Sequence, residues 1–194
     1  MPNIFRSSFL AATAISLGLA PVTVSAQAVI ETFYTVVVPS GEFGSAAFTA
    51  QLVSGIAAAK KFCSDLEEDA YRVDCLAERL GAVSDGIPEG TDYDEVRTVL
   101  ETASGDMEKL AQANRDPDLP RARASRVTAP NDRTTRPLTP VAKPARAATG
   151  QQAIAILEQA QTQLLRSSEV SKTRSIQYAQ IAQAMDSTKV LLRS

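Results

Sequence analysis

The side chains that could carry chemistry in this chain are mainly carboxylates. The sequence has no histidine and only two cysteines, so nucleophiles of the Ser-His and Cys-His kinds lack their usual base. The common zinc sites lack ligands for the same reason. The sequence also has no glycine-rich phosphate loop and no dinucleotide-binding fingerprint. Paired carboxylates therefore remain as the main catalytic candidates.

The acidic residues near the predicted helix ends form two groups. One group surrounds a predicted turn and the other opens a predicted helix: Glu67, Glu68, Asp69 and Asp74, then Asp92, Asp94 and Glu95. The Asp92-x-Asp94 spacing matches the opening of a calcium loop, but the required glycine and the closing glutamate are missing. Because the helix dipole favours acids in the first turn, we interpret both groups as solvated helix ends. We therefore predict no catalytic residue, no cofactor and no metal site.

A hydrolase that uses paired carboxylates is the alternative to this interpretation. Such an enzyme needs a concave pocket with convergent acids. It would therefore require Asp74, Glu78 and Asp94 to line a deep cleft.

The two cysteines, Cys63 and Cys75, constrain the local fold. A single helix through both would separate their Cα atoms by about 18 Å, whereas a disulfide needs roughly 4.4–6.8 Å. A capping box at Ser64-x-x-Glu67 would start a helix at Asp65 and so excludes the disulfide. A helical hairpin that turns at residues 66–69, with Asp69 capping the second helix, allows it. We favour the hairpin, because exported chains with two cysteines usually pair them.

The cysteine spacing also carries a resemblance. The segment Cys63-x11-Cys75 followed by a helix resembles the start of small periplasmic helical domains that include lysozyme inhibitors. The resemblance implies inhibition of an envelope hydrolase as an alternative function. It assigns no functional residue.

The first 26 residues are typical of a secretory signal peptide. A mildly basic start precedes an apolar run from Phe9 to Ala20, and small residues follow at Val24-Ser25-Ala26. The apolar run is shorter than the roughly 20 residues that span a bilayer, so we predict no transmembrane segment in the mature chain. The expected location is periplasmic or secreted. Residues 27–44 are predicted to form an extended arm, since residues 29–38 are rich in β-branched and aromatic side chains.

The expected fold class is mainly α. Helical spacing predicts three helices at about residues 45–65, 70–84 and 91–114. The second helix carries a coiled-coil-like seam through Val73, Leu76, Leu80 and Val83. Short connections favour a small antiparallel bundle, so residues 45–116 are expected to form a disulfide-stapled three-helix domain.

Residues 117–150 are predicted to be a disordered basic linker. They contain six prolines and have 7 basic against 2 acidic residues, a net charge of +5. Such a composition offers little apolar surface for a core. The linker could meet an anionic envelope component, although a soluble spacer is the plainer interpretation.

Residues 151–194 contain no glycine and no proline and follow one heptad phase. They form either one long helix or a C-terminal helical pair that turns within residues 167–171. Two helices cannot bury all their apolar side chains against each other. We therefore predict an interaction stripe that a partner must cover: Ile154, Leu157, Leu164, Tyr178, Ile181, Met185 and Leu192. The alternative is that this stripe docks on the first three helices.

Together these patterns predict an exported, non-catalytic helical protein. It would bind another protein or an anionic envelope component, without nucleic acid, and it could form a homo-oligomer. The alternatives are an inhibitor of an envelope hydrolase and a hydrolase using paired carboxylates.

Overall fold

The computed structural model describes residues 45–126, 132–170 and 172–193, with only the backbone of Val170. The predicted signal peptide and extended arm lie outside these residues. The chain divides into two units, 1–35 and 36–194, and every described residue belongs to the second. The described residues are mainly helical, which confirms the expected fold class. They form five α-helices: α1 (Ala46–Ser64), α2 (Arg72–Asp85), α3 (Asp94–Ala113), α4 (Arg146–Ser167) and α5 (Lys172–Thr188).

The first two helices form the predicted disulfide. Ser45 begins α1, since its side chain accepts a hydrogen bond from the Phe48 backbone N–H at 3.2 Å. Helix α1 ends at Ser64, a short 3-10 helix follows at Asp69–Tyr71, and α2 continues from it. The Cα atoms of Cys63 and Cys75 lie 5.7 Å apart and their sulfurs are bonded. The turn between the two helices therefore lies at the predicted residues.

One predicted cap and one predicted helix start differ from the structure. The Asp69 carboxylate binds the Arg72 guanidinium at 2.6 Å and makes no capping hydrogen bond. Helix α3 begins at Asp94 and not at residue 91; the Thr91 hydroxyl donates to the Pro88 carbonyl at 3.0 Å and accepts from the Tyr93 backbone N–H at 3.3 Å. At Asp69 the Arg72 guanidinium binds the carboxylate that a cap would offer to a backbone amide.

The five helices pack in a closed order, with α1 on α2, α2 on α3, α3 on α4, α4 on α5, and α5 back on α1. A large hydrophobic core lies between them. Of the two arrangements considered for the C-terminal segment, the structure has two helices, with the turn after Ser167. No helix in the described ranges is both long and apolar enough to cross a membrane.

All seven residues of the predicted interaction stripe belong to this core. They are buried against α1, α2 and α3 as well as against each other: Ile154, Leu157, Leu164, Tyr178, Ile181, Met185 and Leu192. The stripe is thus covered by the chain's own helices and is not the exposed surface that was predicted. The physical reason is that α1 and α3 also carry wide apolar faces, which α2 alone does not cover.

A buried polar cluster fixes the position of the C-terminal helices on the first three helices. The Tyr93 side chain is buried, and its hydroxyl lies 2.7 Å from the Thr49 hydroxyl of α1. The same hydroxyl donates to the side-chain carbonyl of Gln177 in α5 at 3.1 Å. Burial raises the pKa of Tyr178 to about 12, and its hydroxyl donates to the Asp92 carbonyl at 3.1 Å. These bonds specify one docking position, because a buried polar group without a partner would cost free energy.

The segment predicted to be a disordered linker is ordered where the structure describes it. Residues 114–126, the outer segment, run antiparallel to residues 132–142, the inner segment, through three isolated bridges. The two segments form an extended hairpin, and the chain between them, residues 127–131, lies outside the described residues. The prediction failed because it counted apolar side chains, whereas the hairpin is held mainly by polar groups. Helix α4 also starts earlier than expected, at Arg146.

Candidate binding surface

The two carboxylates proposed for a hydrolase lie one turn apart on α2 and hold the extended hairpin. Asp74 is 0% exposed and Glu78 is 5% exposed. The Arg136 guanidinium donates to both oxygens of Asp74, at 2.7 and 2.8 Å, and the Thr139 backbone N–H donates to the same carboxylate. The hydrogen bonds with Asp74 raise the pKa of Arg136 above its ordinary value. This is a bidentate ion pair between α2 and the inner segment, in which the carboxylate is fully buried and the guanidinium is partly buried.

Glu78 makes a second attachment one turn further along. Its carboxylate accepts hydrogen bonds from the Thr135 backbone N–H at 2.7 Å and from the Thr135 hydroxyl at 2.9 Å. The Arg79 guanidinium also donates to it, at 2.7 Å. Burial acts to raise the pKa of Glu78, but the hydrogen bonds from Arg79 and Thr135 outweigh it and hold the pKa below its ordinary value. Glu78 is therefore a structural anion.

The register of the hairpin explains why these residues meet. Ala122 and Leu138 exchange two backbone hydrogen bonds, at 3.2 and 2.8 Å. The next backbone bond runs from the Thr134 N–H to the Ala124 carbonyl at 2.9 Å. Between these two points the outer segment has one residue and the inner segment has three, residues 135–137. The extra residues bulge out of the pairing, and their polar groups reach the carboxylates of α2.

The three acids of the hydrolase alternative do not converge on an open cleft. Asp74 and Glu78 are buried under the hairpin, and the Asp94 carboxylate accepts the Gly90 backbone N–H at 3.1 Å. Within the described ranges, no group of three or more His, Cys, Asp or Glu residues could hold a metal ion.

The opposite face of the hairpin carries exposed arginines, and the Arg123 guanidinium donates to the Thr134 carbonyl at 3.5 Å. Side chains alternate between two faces along an extended segment. Arg121, Arg123 and Ser125 therefore share one face, and the bridge between Ser125 and Arg133 places Arg133 on that face too. We call these four residues the arginine face, and all four are exposed. Among the described residues, no carboxylate oxygen lies within 4.0 Å of these three guanidiniums.

The inward face of the outer segment packs against the disulfide. Ala124 contacts the small cluster that contains Phe62, Cys63 and Cys75. The Arg126 guanidinium lies 5.8 Å from the centre of the Phe62 ring and 3.4 Å from the Asp132 carboxylate. The disulfide and this cluster therefore support the inward face of the outer segment, and the arginine face lies on the opposite face.

A groove runs along the free edge of the outer segment. It is an open cavity of about 470 Å³. One wall is the end of α1 with the turn after it, and the other is the outer segment: Phe62, Asp65, Leu66 and Glu67, then Arg123, Ala124, Ser125 and Arg126. Ala122, Ala124 and Arg126 make the inward backbone bonds, so the backbone groups of Arg123 and Ser125 point into this groove. We call it the edge groove.

A wider cavity of about 700 Å³ lies between α3 and α4. Its polar lining includes Glu95 and Gln163, which hydrogen bond to each other at 3.1 Å, and Arg166. Glu95 and Gln163 are therefore already paired with each other. The cavity has no free backbone edge, so it is a weaker candidate than the edge groove.

The sequence identified only part of this surface. It predicted the disulfide that supports the surface, but it placed the interaction stripe on residues that are core. It missed the arginine face, although the run Arg121-Ala122-Arg123-Ala124 alternates with a period of two. That alternation is the pattern of a half-buried extended segment, and the surrounding prolines concealed it.

Comparisons with protein-family models, with curated proteins and with solved structures found no match for this chain. The functional argument therefore depends on the geometry of the described residues.

Proposed function

We propose that this is an exported, non-catalytic protein that binds an acidic partner protein through the arginine face. The observation that carries the proposal is the set of three exposed guanidiniums on one face of an ordered hairpin, with no carboxylate oxygen within 4.0 Å of them in the described part of the chain. Arginine presents five donors in a planar fork, which suits bidentate recognition of carboxylates.

The buried attachments on the other side of the hairpin support this proposal. Asp74 and Glu78 hold the inner segment on α2, so the arginine face is presented by a fixed backbone. A preordered surface loses less conformational freedom on binding than a flexible linker would. The proposal of export is supported by the signal-peptide pattern and by the disulfide, which is typical of oxidising compartments.

The hydrolase alternative has less support, because its two central carboxylates are engaged by Arg136, Thr135 and Thr139. An inhibitor of an envelope hydrolase would be one instance of the proposed binding role, and no separate observation favours it.

The test is affinity capture from an envelope extract with the full mature chain. One variant replaces Arg121, Arg123 and Arg133 with glutamine. Its charge-matched control replaces Arg166, Lys172 and Arg193 with glutamine. These three residues are exposed cations of the C-terminal segment. We expect the first variant to lose the captured protein and the control to retain it.

Capture should also weaken as the salt concentration rises, because exposed charge pairs are screened. Equal capture by both variants would overturn the proposal. Retention of an anionic envelope polymer in place of a protein would instead assign the arginine face to that polymer.

A further inference from the structure

The edge groove identifies the form in which the partner binds. Resting on the proposed function, we infer that the acidic partner contributes an extended segment that pairs with the backbone of Arg123 and Ser125. The segment would add to the outer edge of the extended hairpin as a third strand. Main-chain pairing would provide the attachment, and side chains on alternate positions would provide the specificity.

The backbone geometry supports this pairing. The outer segment makes its inward hydrogen bonds through Ala122, Ala124 and Arg126. The N–H and C=O groups of the intervening residues, Arg123 and Ser125, point the other way and line the edge groove. In the described part of the chain, no backbone hydrogen bond reaches either residue. A free extended edge is a template for another chain.

The two sides of the added strand would meet different surroundings. Its side chains on the outer face would lie beside Arg121 and Arg123 of the outer segment, where opposite charges across neighbouring strands are stabilising. Its side chains on the other face would point toward the Phe62 and Leu66 side of the groove. The expected segment therefore alternates acidic residues with apolar ones.

The acidic residues in the wall of the groove disfavour acidic side chains at the inward positions of the partner segment. Asp65 and Glu67 line the side opposite Arg123, and Asp65 is paired with Lys61 at 3.2 Å. These carboxylates would repel an acid that pointed into the groove. A uniformly acidic segment should therefore bind less well than an alternating one, although it carries more negative charge.

The probe is a synthetic peptide that alternates glutamate and valine. Two modified peptides carry N-methyl groups, one on every glutamate amide and the other on every valine amide. Only one of these two sets of N–H groups can face the outer segment, since backbone groups of an extended chain alternate between its edges. The affinity of each peptide for the full mature chain is measured by calorimetry.

We expect one methylated peptide to lose at least about tenfold in affinity while the other binds like the unmodified peptide. Equal binding by both, or equal loss by both, would overturn strand pairing. If both bind equally and the Arg121, Arg123 and Arg133 to glutamine variant loses both, the arginine face still binds acids and the proposed function stands. If no peptide binds, strand pairing is overturned, and the capture experiment decides the proposed function independently.

A variant of the protein gives a second test. Ser125→Pro removes the outward N–H, and proline is tolerated on an edge whose N–H faces solvent. Ser125→Ala is the matched control, because it keeps that N–H. We expect the proline variant to lose the unmodified peptide and the alanine variant to bind it. Binding by both variants with unchanged affinity would contradict the inference, and a change in the melting temperature of Ser125→Pro would leave the methylated peptides as the deciding measurement.

Discussion

The C-terminal helical pair and the extended hairpin are attached to the first three helices by different forces. Helices α4 and α5 contribute apolar side chains to the common core. The extended hairpin is attached chiefly by a buried ion pair and by hydrogen bonds to Glu78. Apolar attachment is non-directional and tolerates adjustment, whereas a buried ion pair is costly once either partner is lost. A segment poor in apolar residues can therefore still be held in one position by polar contacts.

The largest expected effect lies in the helical pair. Leu157 is 0% exposed, and Leu157→Ala should lower the free energy of unfolding by about 4 kcal/mol through lost burial and a residual cavity. The matched control on the same helix is Leu165→Ala, because Leu165 is 47% exposed. We expect the control to change stability by less than about 0.5 kcal/mol. Chemical denaturation measures both, and equal losses would mean that Leu157 is not part of the core.

The hairpin should be nearly as sensitive at its buried ion pair. Asp74→Asn removes the charge that Arg136 and the Thr139 N–H use, and we expect a loss of about 3 kcal/mol. Asp106→Asn is the control, since Asp106 forms an exposed pair with Lys109 at 3.2 Å, for which about 0.5 kcal/mol is typical. Hydrogen exchange at the Leu138 amide should accelerate in Asp74→Asn alone. An unchanged exchange rate there would show that the hairpin does not depend on this ion pair.

These two regions also show which parts of the fold can be predicted from the sequence alone. The heptad phase correctly marked Leu157 and Met185 as residues that must be covered, because apolar periodicity is local in sequence. It could not identify the covering surface, since α1 and α3 offer apolar faces of similar kind. Helix geometry showed that one continuous helix through Cys63 and Cys75 is incompatible with a disulfide. The disulfide and its turn could then be predicted because exported chains with two cysteines usually pair them.

The extended hairpin could not be predicted by the same means. Arg136 lies 62 residues from Asp74 and Thr135 lies 57 residues from Glu78. Ion pairs at such separations leave no periodic pattern in a single sequence. Asp74 was recognised as a notable acid, but its partner was assigned to a segment with six prolines that was predicted to be disordered. The ion pair and hydrogen bonds of a few buried polar groups hold this segment in place despite its proline-rich composition.

The attachment of the hairpin through Glu78 should depend on pH, whereas the apolar attachment of the helical pair should not. The pKa of Glu78 is lower in the folded chain than its ordinary value of 4.5. Its contribution to stability is therefore present above that value and is lost as the pH falls through the folded pKa. The unfolding free energy of the wild type should decline below about pH 4.5, and Glu78→Gln should decline less steeply there. Thermal melting across this range measures both slopes, and identical slopes would exclude Glu78 as an acid-sensitive anchor. Leu157→Ala provides the control, because its loss should not vary with pH.

The smallest expected effect on stability belongs to the arginine face. Replacing Arg121, Arg123 and Arg133 with glutamine removes three exposed charges that have no carboxylate within 4.0 Å in the described ranges. The backbone bonds of the hairpin and its attachments to Asp74 and Glu78 are left in place. We therefore expect each substitution to change the unfolding free energy by less than about 0.5 kcal/mol. Among the described residues, the contact that could make the change larger is the bond from the Arg123 guanidinium to the Thr134 carbonyl at 3.5 Å, which is long and partly buried. Chemical denaturation of the triple variant beside Asp74→Asn gives the decisive contrast between the two faces of one hairpin. A loss for the triple variant as large as that for Asp74→Asn would mean that these arginines stabilise the fold, and it would remove the reason for regarding them as a binding surface.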